Sequence, residues 1–162
     1  MKINQILVGH PETIEFFSDA EVFAKASIDI NGNICRLVID SVSILKENRI
    51  FASAYLDKIL QFINESFEEL DKFIFRDKKY MINKQLFKLY WSLDALKLFA
   101  NDLQPQILLS ILDRASKERE YTIREKAAQI VLLNNSEQFF NIKKMLEMDE
   151  NYYVRNVFKL RH

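Results

Sequence analysis

The chain has 162 residues and a formal net charge of zero, since 23 Lys and Arg balance 23 Asp and Glu. Hydrophobic residues make up 49% of it, which excludes intrinsic disorder, because disordered chains combine low hydrophobicity with a high net charge. With only 2 glycines and 2 prolines, it lacks the turn residues of a β-sandwich or barrel and the glycines of a nucleotide-binding loop. The composition therefore predicts one all-α domain spanning residues 1–162.

Apolar residues recur along the whole chain with the 3.6-residue period of amphipathic helices. Proline at positions 11 and 105 marks two of the helix starts, because proline is favoured in the first helical turn. Short polar joints separate the periodic segments. The predicted helices cover residues 11–25, 33–46, 49–70, 80–100, 105–117, 121–134, 136–147 and 152–160.

The first third of the chain indicates where the protein resides. Residues 1–30 carry a net charge of −3, and residues 1–10 contain no apolar stretch of signal-peptide length before polar residues return. No segment approaches the roughly 20 apolar residues of a membrane span. Cys35 is the only cysteine, which excludes an intrachain disulfide and is typical of a reducing compartment. We expect a cytoplasmic protein with no membrane partner.

Residues 27–36 are open to two interpretations. Asn31-Gly32 lies between β-branched runs, a pattern typical of a tight β-hairpin turn. Alternatively, Asn31-Gly32 ends one helix and Asn33 caps the next, since Asn and Gly serve both helix ends. A lone two-stranded hairpin is marginal in water, and no other strand is predicted. The helix–turn–helix interpretation is therefore favoured, with the hairpin as the alternative.

Candidate catalytic and metal-binding residues are few. Cys35 with His10 is one conceivable nucleophile pair, but an inert buried thiol is favoured, because free cysteine is among the most buried residue types. One cysteine and two distant histidines cannot form a closed zinc site. Four carboxylates near the end of the 49–70 helix lack the spacing and glycine of a calcium loop and are interpreted as a solvated helix end: Glu65, Glu68, Glu69 and Asp71. No metal or cofactor is expected.

Residues 76–97 form a basic segment with a net charge of +4. Within it Tyr80, Lys84, Lys88 and Trp91 follow at i, i+4, i+8 and i+11, so they share one face of a helix. Lysines between aromatic rings can hold a phosphate backbone while a ring stacks on a base. The pattern predicts a binding surface at these four residues. The alternative is that the rings are partly buried beneath lysine stems.

An internal repeat occupies the second half of the chain. Tyr-Thr-Ile-Arg at 121–124 matches Tyr-Tyr-Val-Arg at 152–155, 31 residues later, and an apolar residue follows three positions after each arginine. Weaker copies lie at 80–83 and 34–36. Each copy follows a polar joint and opens a predicted helix, so the repeat marks a recurring turn and helix start.

This pattern resembles the HEAT repeat, an armadillo-type unit of two antiparallel helices in which an Asp- or Asn-rich turn and Val-Arg open the second helix. The resemblance covers roughly residues 104–162. It implies an α-α superhelix, a HEAT-like solenoid of about four antiparallel helix pairs. Arg124 and Arg155 would then lie near acidic turn residues such as Glu120 and Asp149 and form a structural Arg–carboxylate ladder from unit to unit.

The last predicted helix is unusually apolar for the end of such a stack. Solenoid ends normally present a polar capping face, whereas residues 152–160 are rich in aromatic and aliphatic side chains. We therefore expect this end, at Tyr153 and Phe158, to contact a partner or another copy of the chain.

Three functions are compatible with these patterns. A non-catalytic protein-binding adaptor or scaffold, including an immunity-type inhibitor, is favoured, because a groove of stacked helices makes few demands on sequence. The alternative is a nucleic-acid-binding HEAT-like protein that uses the basic and aromatic helix face. The third is an enzyme similar to HEAT-like DNA glycosylases, for which Trp91 and Asp94 are a conceivable pair. We expect no enzymatic activity.

Overall fold

Eight α-helices and two short 3₁₀ helices, Lys97–Phe99 and Glu137–Phe139, make up the regular structure of the computed structural model, which describes residues 16–72, 79–134 and 136–159. No strand occurs in these residues, so the all-α prediction is confirmed. No helix in the described ranges has the length and apolarity needed to cross a membrane. The α-helices are α1 (Phe16–Ser27), α2 (Gly32–Leu45), α3 (Arg49–Lys72), α4 (Lys79–Leu96), α5 (Pro105–Ala115), α6 (Tyr121–Leu132), α7 (Phe140–Glu147) and α8 (Tyr152–Lys159).

The helix bounds follow the hydrophobic period closely where the structure describes the chain. Two predicted helices are shorter than expected, because the chain tightens into a 3₁₀ helix after Leu96 and enters α7 through another. Ser136 is the N-cap of the 3₁₀ helix that leads into α7, and its side chain accepts a hydrogen bond from the Gln138 N–H at 3.4 Å. Residues 11–15 and 160, at the outer ends of two predicted helices, lie outside the described residues.

Residues 27–36 form a helix–turn–helix, and the hairpin interpretation is wrong. Helix α1 ends at Ser27 and α2 begins at Gly32. The residue that caps α2 is Asn31 and not Asn33, since the Asn31 side chain accepts a hydrogen bond from the N–H of Asn33 at 2.9 Å. A side-chain acceptor at this position satisfies one of the donors that the first helical turn leaves free.

The helices group into two compact units, Met1–Leu96 and Lys97–His162. In the first unit α1 packs against α2 and α3, and α3 packs along α4. The Tyr55 hydroxyl lies 2.7 Å from Ser27 Oγ, which itself donates to the Phe23 carbonyl, so the one polar group of this core aromatic is satisfied. The core is built from fully buried aromatic and aliphatic side chains: Phe23, Phe51, Tyr55, Ile59, Ile63, Leu89 and Leu93.

In the second unit α6 is the central helix. It packs against α5, α7 and α8, and α7 also packs against α8. One face of α6 buries small and aliphatic side chains, which lets the neighbouring helices approach closely. The core of this unit consists of Leu108, Leu112, Ile123, Ala127, Ala128, Phe139, Leu146 and Val154.

Candidate functional site

The predicted basic and aromatic face of α4 is divided by the fold. Tyr80 is 79% exposed and Lys84 is also exposed. Lys88, one turn further on, points back to α3, where its Nζ lies 3.1 Å from Glu65 Oε1 and 5.2 Å from the centre of the Phe62 ring. The exposed part of the predicted surface is therefore the first turn and a half of α4.

Trp91, the last member of that set, is buried and 7% exposed. Its ring meets Tyr90 edge to face at 5.1 Å between centroids, and the Arg36 guanidinium carbon lies 5.7 Å from the ring centre. It also lies against Gly32, where an added Cβ would be 3.2 Å from Trp91 Cζ2. The indole is thus held inside the first unit and presents no free face to a base, and Asp94 beside it is partly buried.

Cys35 has the properties of an unreactive thiol. It is fully buried, and its Sγ donates to the Asp29 carbonyl at 3.1 Å. Burial, together with the negative charge of Asp29, raises the pKa of the Cys35 thiol to about 11. Since the thiolate is the nucleophile, this cysteine is poorly suited to covalent catalysis. His10, its conceivable partner, lies outside the described residues.

Two of the four carboxylates near the end of α3, Glu65 and Glu69, form separate ion pairs. Glu65 pairs with Lys88, as described above, and Glu69 Oε1 accepts from Lys72 Nζ at 2.8 Å on the exposed surface. Glu68 and Asp71 are exposed. Across the described ranges, no group of three or more His, Cys, Asp or Glu side chains is arranged to hold a metal ion.

The repeated turn of the second unit is organised by Arg124. Its Nε and Nη2 donate to the two carboxylate oxygens of Asp149 at 2.8 and 3.2 Å, a bidentate pair whose side chains are 10% and 9% exposed. Its Nη1 donates to the carbonyls of Glu118 and Arg119 at 2.7 and 2.8 Å. Arg124 therefore joins the turn before α6 to the turn before α8, and it binds its own turn through carbonyls and not through the Glu120 carboxylate.

Asp149 stays ionised in this setting. Burial by itself raises the pKa of the Asp149 carboxyl, but hydrogen bonds from Arg124 and from the Asn151 N–H outweigh it, helped by the charges of Arg124 and Arg155. The net effect is a pKa below the ordinary value of 3.8. A buried, bidentate Arg–carboxylate pair of this kind fixes the distance and orientation of the two turns.

Arg155 repeats half of this arrangement. Its Nη1 donates to the Asp149 carbonyl at 2.6 Å, just as Arg124 Nη1 donates to the Glu118 carbonyl. In both cases the arginine binds the carbonyl six residues before it. The 31-residue repeat in the sequence is thus a repeat of hydrogen bonding, in which Asp149 gives its side chain to one arginine and its carbonyl to the next.

The first residues of α6 and α8 bring three tyrosines together, here called the tyrosine cluster: Tyr121, Tyr152 and Tyr153. The Tyr121 and Tyr153 rings stack at 5.8 Å and 26°, and Tyr152 meets Tyr153 edge to face at 5.6 Å. Tyr152 and Tyr153 are 55% and 57% exposed. Of the two residues predicted to form an interface, Tyr153 lies in this cluster, whereas Phe158 is partly buried.

Sequence reasoning did not assign Tyr121 and Tyr152 to a candidate site, although both lie in the repeat. Both tyrosines stand three residues before a turn-binding arginine, so the same 31-residue spacing that aligns Arg124 with Arg155 also aligns them.

Comparison of the chain with family models, with curated proteins and with solved structures gives no match.

Proposed function

We propose that this chain is a non-catalytic, protein-binding helical-repeat protein whose contact surface centres on the tyrosine cluster. The observation that carries the proposal is the side-by-side packing of α6 and α8, which the Arg124–Asp149 pair fixes at their starts and which brings three tyrosines together, two of them more than half exposed. Tyrosine is enriched in protein interfaces, because its ring offers a large amphipathic contact area at a small cost in side-chain entropy.

Helix packing within each unit supports a HEAT-like solenoid. Helices two apart in the chain pack together, as α1 with α3 and α6 with α8, and so do consecutive helices, as α3 with α4. Stacked helix pairs produce this pattern, since each pair buries its apolar face on the next. Eight helices make about four such pairs. An adaptor or scaffold, or an immunity-type inhibitor, is the kind of protein that this architecture suits, and a single free cysteine supports a cytoplasmic location.

The direct test is affinity capture of the tagged chain from its host's lysate, with and without nuclease. Wild-type protein is compared with a Tyr152→Ala, Tyr153→Ala double variant and with Tyr80→Ala, which removes a still more exposed tyrosine from the other unit. We expect a stoichiometric protein partner that survives nuclease, is kept by the Tyr80 variant and falls at least about tenfold in the double variant, as for interface hot spots.

Circular dichroism is used to check that the double variant keeps its helices. We expect that it does, because both side chains are more than half exposed. Equal recovery of the partner by all three proteins would contradict the tyrosine cluster as the contact surface, and recovery of no protein at all would contradict the protein-binding function.

A second candidate function, nucleic-acid binding, is favoured by the exposure of Tyr80 and of Lys84 one turn later. It predicts that a labelled single-stranded oligonucleotide binds with an affinity that falls steeply as salt rises, because counterions are released from phosphates. Lys84→Glu would abolish that binding, whereas the same substitution at Lys144, which is also exposed and lies on α7, would leave the binding unchanged. Binding that is insensitive to salt and to Lys84 would eliminate this alternative.

A further inference from the structure

Arg124 shows what a turn-binding arginine of this chain does when it is fully engaged. One nitrogen, Nη1, holds the carbonyls of its own turn, and the opposite edge of the guanidinium, formed by Nε and Nη2, faces away and takes the Asp149 carboxylate side on. The first contact orients the guanidinium and the second binds an acid from the following turn.

Arg155 has the first contact without the second. Its Nη1 donates to the Asp149 carbonyl at 2.6 Å, which is the contact equivalent to that of Arg124 Nη1 with the Glu118 carbonyl. Its Nε and Nη2 make no hydrogen bond and no ion pair within residues 16–72, 79–134 and 136–159, and the side chain is partly exposed. The result is a guanidinium that is anchored at one nitrogen and lies beside Tyr152 and Tyr153 in sequence.

We propose that the Nε–Nη2 edge of Arg155 is the docking point for a carboxylate of the bound protein partner, presented at the turn before a helix as Asp149 is presented to Arg124. This inference rests on the proposed function and adds the chemistry of the partner. Arginine's planar fork matches a carboxylate with two parallel hydrogen bonds. The anchoring of Arg155 at Nη1 also lowers the side-chain entropy lost on binding.

The local charges favour a single carboxylate over a nucleic acid. Within eight residues of Arg155, the exposed carboxylates of Glu147 and Glu150 are offset in part by exposed Lys159, and Asp149 is already paired with Arg124. A phosphate backbone is held by several cations at once, which this mixed set does not offer. One carboxylate with both oxygens on Arg155 gains two charge-assisted hydrogen bonds and brings one charge.

The test uses ¹⁵N-labelled full-length protein and follows the Arg155 Nε–H signal, assigned through its loss in Arg155→Lys. The probe is an acetylated peptide that copies residues 146–158, because this segment carries the acidic turn that Arg124 already accepts. The matched peptide has Asp149→Asn. The Arg124 Nε–H signal is an internal control, since that edge is occupied.

We expect the peptide with Asp149 to shift the Arg155 signal and leave that of Arg124 in place, and the Asp149→Asn peptide, which keeps Glu147 and Glu150, to bind about tenfold more weakly, as expected for loss of charge-assisted hydrogen bonds. Equal shifts from the two peptides, or no shift at millimolar peptide, would overturn the proposal. So would an equal shift from inorganic phosphate, which indicates a general anion site, or a shift with protein concentration alone, which indicates a second copy as the occupant.

A second readout separates this inference from the proposed function. If wild-type protein captures a partner and Arg155→Lys captures it equally well, the docking point is overturned while protein binding stands. If no partner is captured but the peptide with Asp149 binds at Arg155, the proposed function fails while the carboxylate site stands.

Discussion

Asp149 is the residue on which the polar structure of the second unit depends. It pairs with Arg124 through its side chain, accepts from Arg155 through its carbonyl, and accepts the Asn151 N–H at 2.9 Å. Loss of one member of a nearly buried ion pair is costly because the other charge stays desolvated. The stability of the second unit should therefore depend strongly on this one carboxylate.

We predict that Asp149→Asn lowers the free energy of unfolding at neutral pH by roughly 3 kcal/mol, the lower end for breaking a buried pair, because Arg124 keeps its two carbonyl acceptors. Glu150→Asn, one residue away and exposed, is the control and should cost under about 0.5 kcal/mol. Urea unfolding at constant ionic strength measures both. Equal effects of the two variants would contradict the role of Asp149.

The same carboxyl predicts a dependence on pH. Its pKa is lower in the folded protein than the ordinary 3.8, so its contribution is fully present above the unfolded-state pKa and is lost as pH falls through the folded-state pKa. The difference in stability between wild type and Asp149→Asn should stay constant from neutral pH down to about pH 5 and shrink below about pH 4. A difference that grows on acidification would contradict this assignment.

Gly32 is required for space and not for a special backbone conformation. A Cβ there would lie 3.2 Å from the buried Trp91 ring, so Gly32→Val should overpack the contact and cost about 1–3 kcal/mol. Asn33→Val places the same side chain at the next, exposed position and is the matched control. Thermal unfolding of the two variants checks the prediction, and similar melting temperatures would count against tight packing at Gly32.

Among the helices, the start of α2 depends on a local signal that is easily misassigned. Asn31 and Asn33 are two residues apart, and the structure gives the cap to Asn31. Asn31→Ala should therefore cost about 1 kcal/mol of stability, the usual value for a lost N-cap, whereas Asn33→Ala should be close to neutral. Chemical denaturation measures the stability of both variants. A larger loss for Asn33→Ala than for Asn31→Ala would indicate that Asn33 is the cap.

Helix positions could be predicted from the sequence, because each depends on a local period and on end signals such as Pro105. The contacts between side chains of different helices could not be predicted in this way. Lys88 shares a helical face with Tyr80, but its charge is taken by Glu65, 23 residues earlier. Trp91 shares that face as well, yet it is buried against Gly32 and Arg36 of α2. Spacing along one helix cannot reveal a partner on another.

The 31-residue repeat is the one long-range signal that the sequence did contain. Two arginines in equivalent positions predicted a ladder of Arg–carboxylate contacts. Both bind the carbonyl six residues before them, but among the described residues only Arg124 pairs with a carboxylate. The tyrosine cluster could be predicted only in part. The repeat aligns Tyr121 with Tyr152, but Tyr153 has no equivalent tyrosine in the first copy, and its stacking on Tyr121 depends on the packing of α6 against α8.

For the whole molecule, the division into two compact units, Met1–Leu96 and Lys97–His162, has consequences for cooperativity. Amide hydrogen exchange reports opening in contiguous cooperative segments. We predict that Asp149→Asn accelerates exchange in α5–α8 and leaves α1–α4 near the wild-type rate, while Gly32→Val does the reverse. Uniform acceleration across all eight helices in either variant would mean that the chain opens as one cooperative block.

The single cysteine is a native probe for the rate of local opening. Because Cys35 is fully buried and its thiol pKa is raised to about 11, alkylating reagents should reach it only when the α1–α2 corner opens. The labelling half-life then times that opening without any introduced probe. Because the native thiol stays unlabelled while the protein is folded, a cysteine engineered on the surface would carry a dye at one defined position.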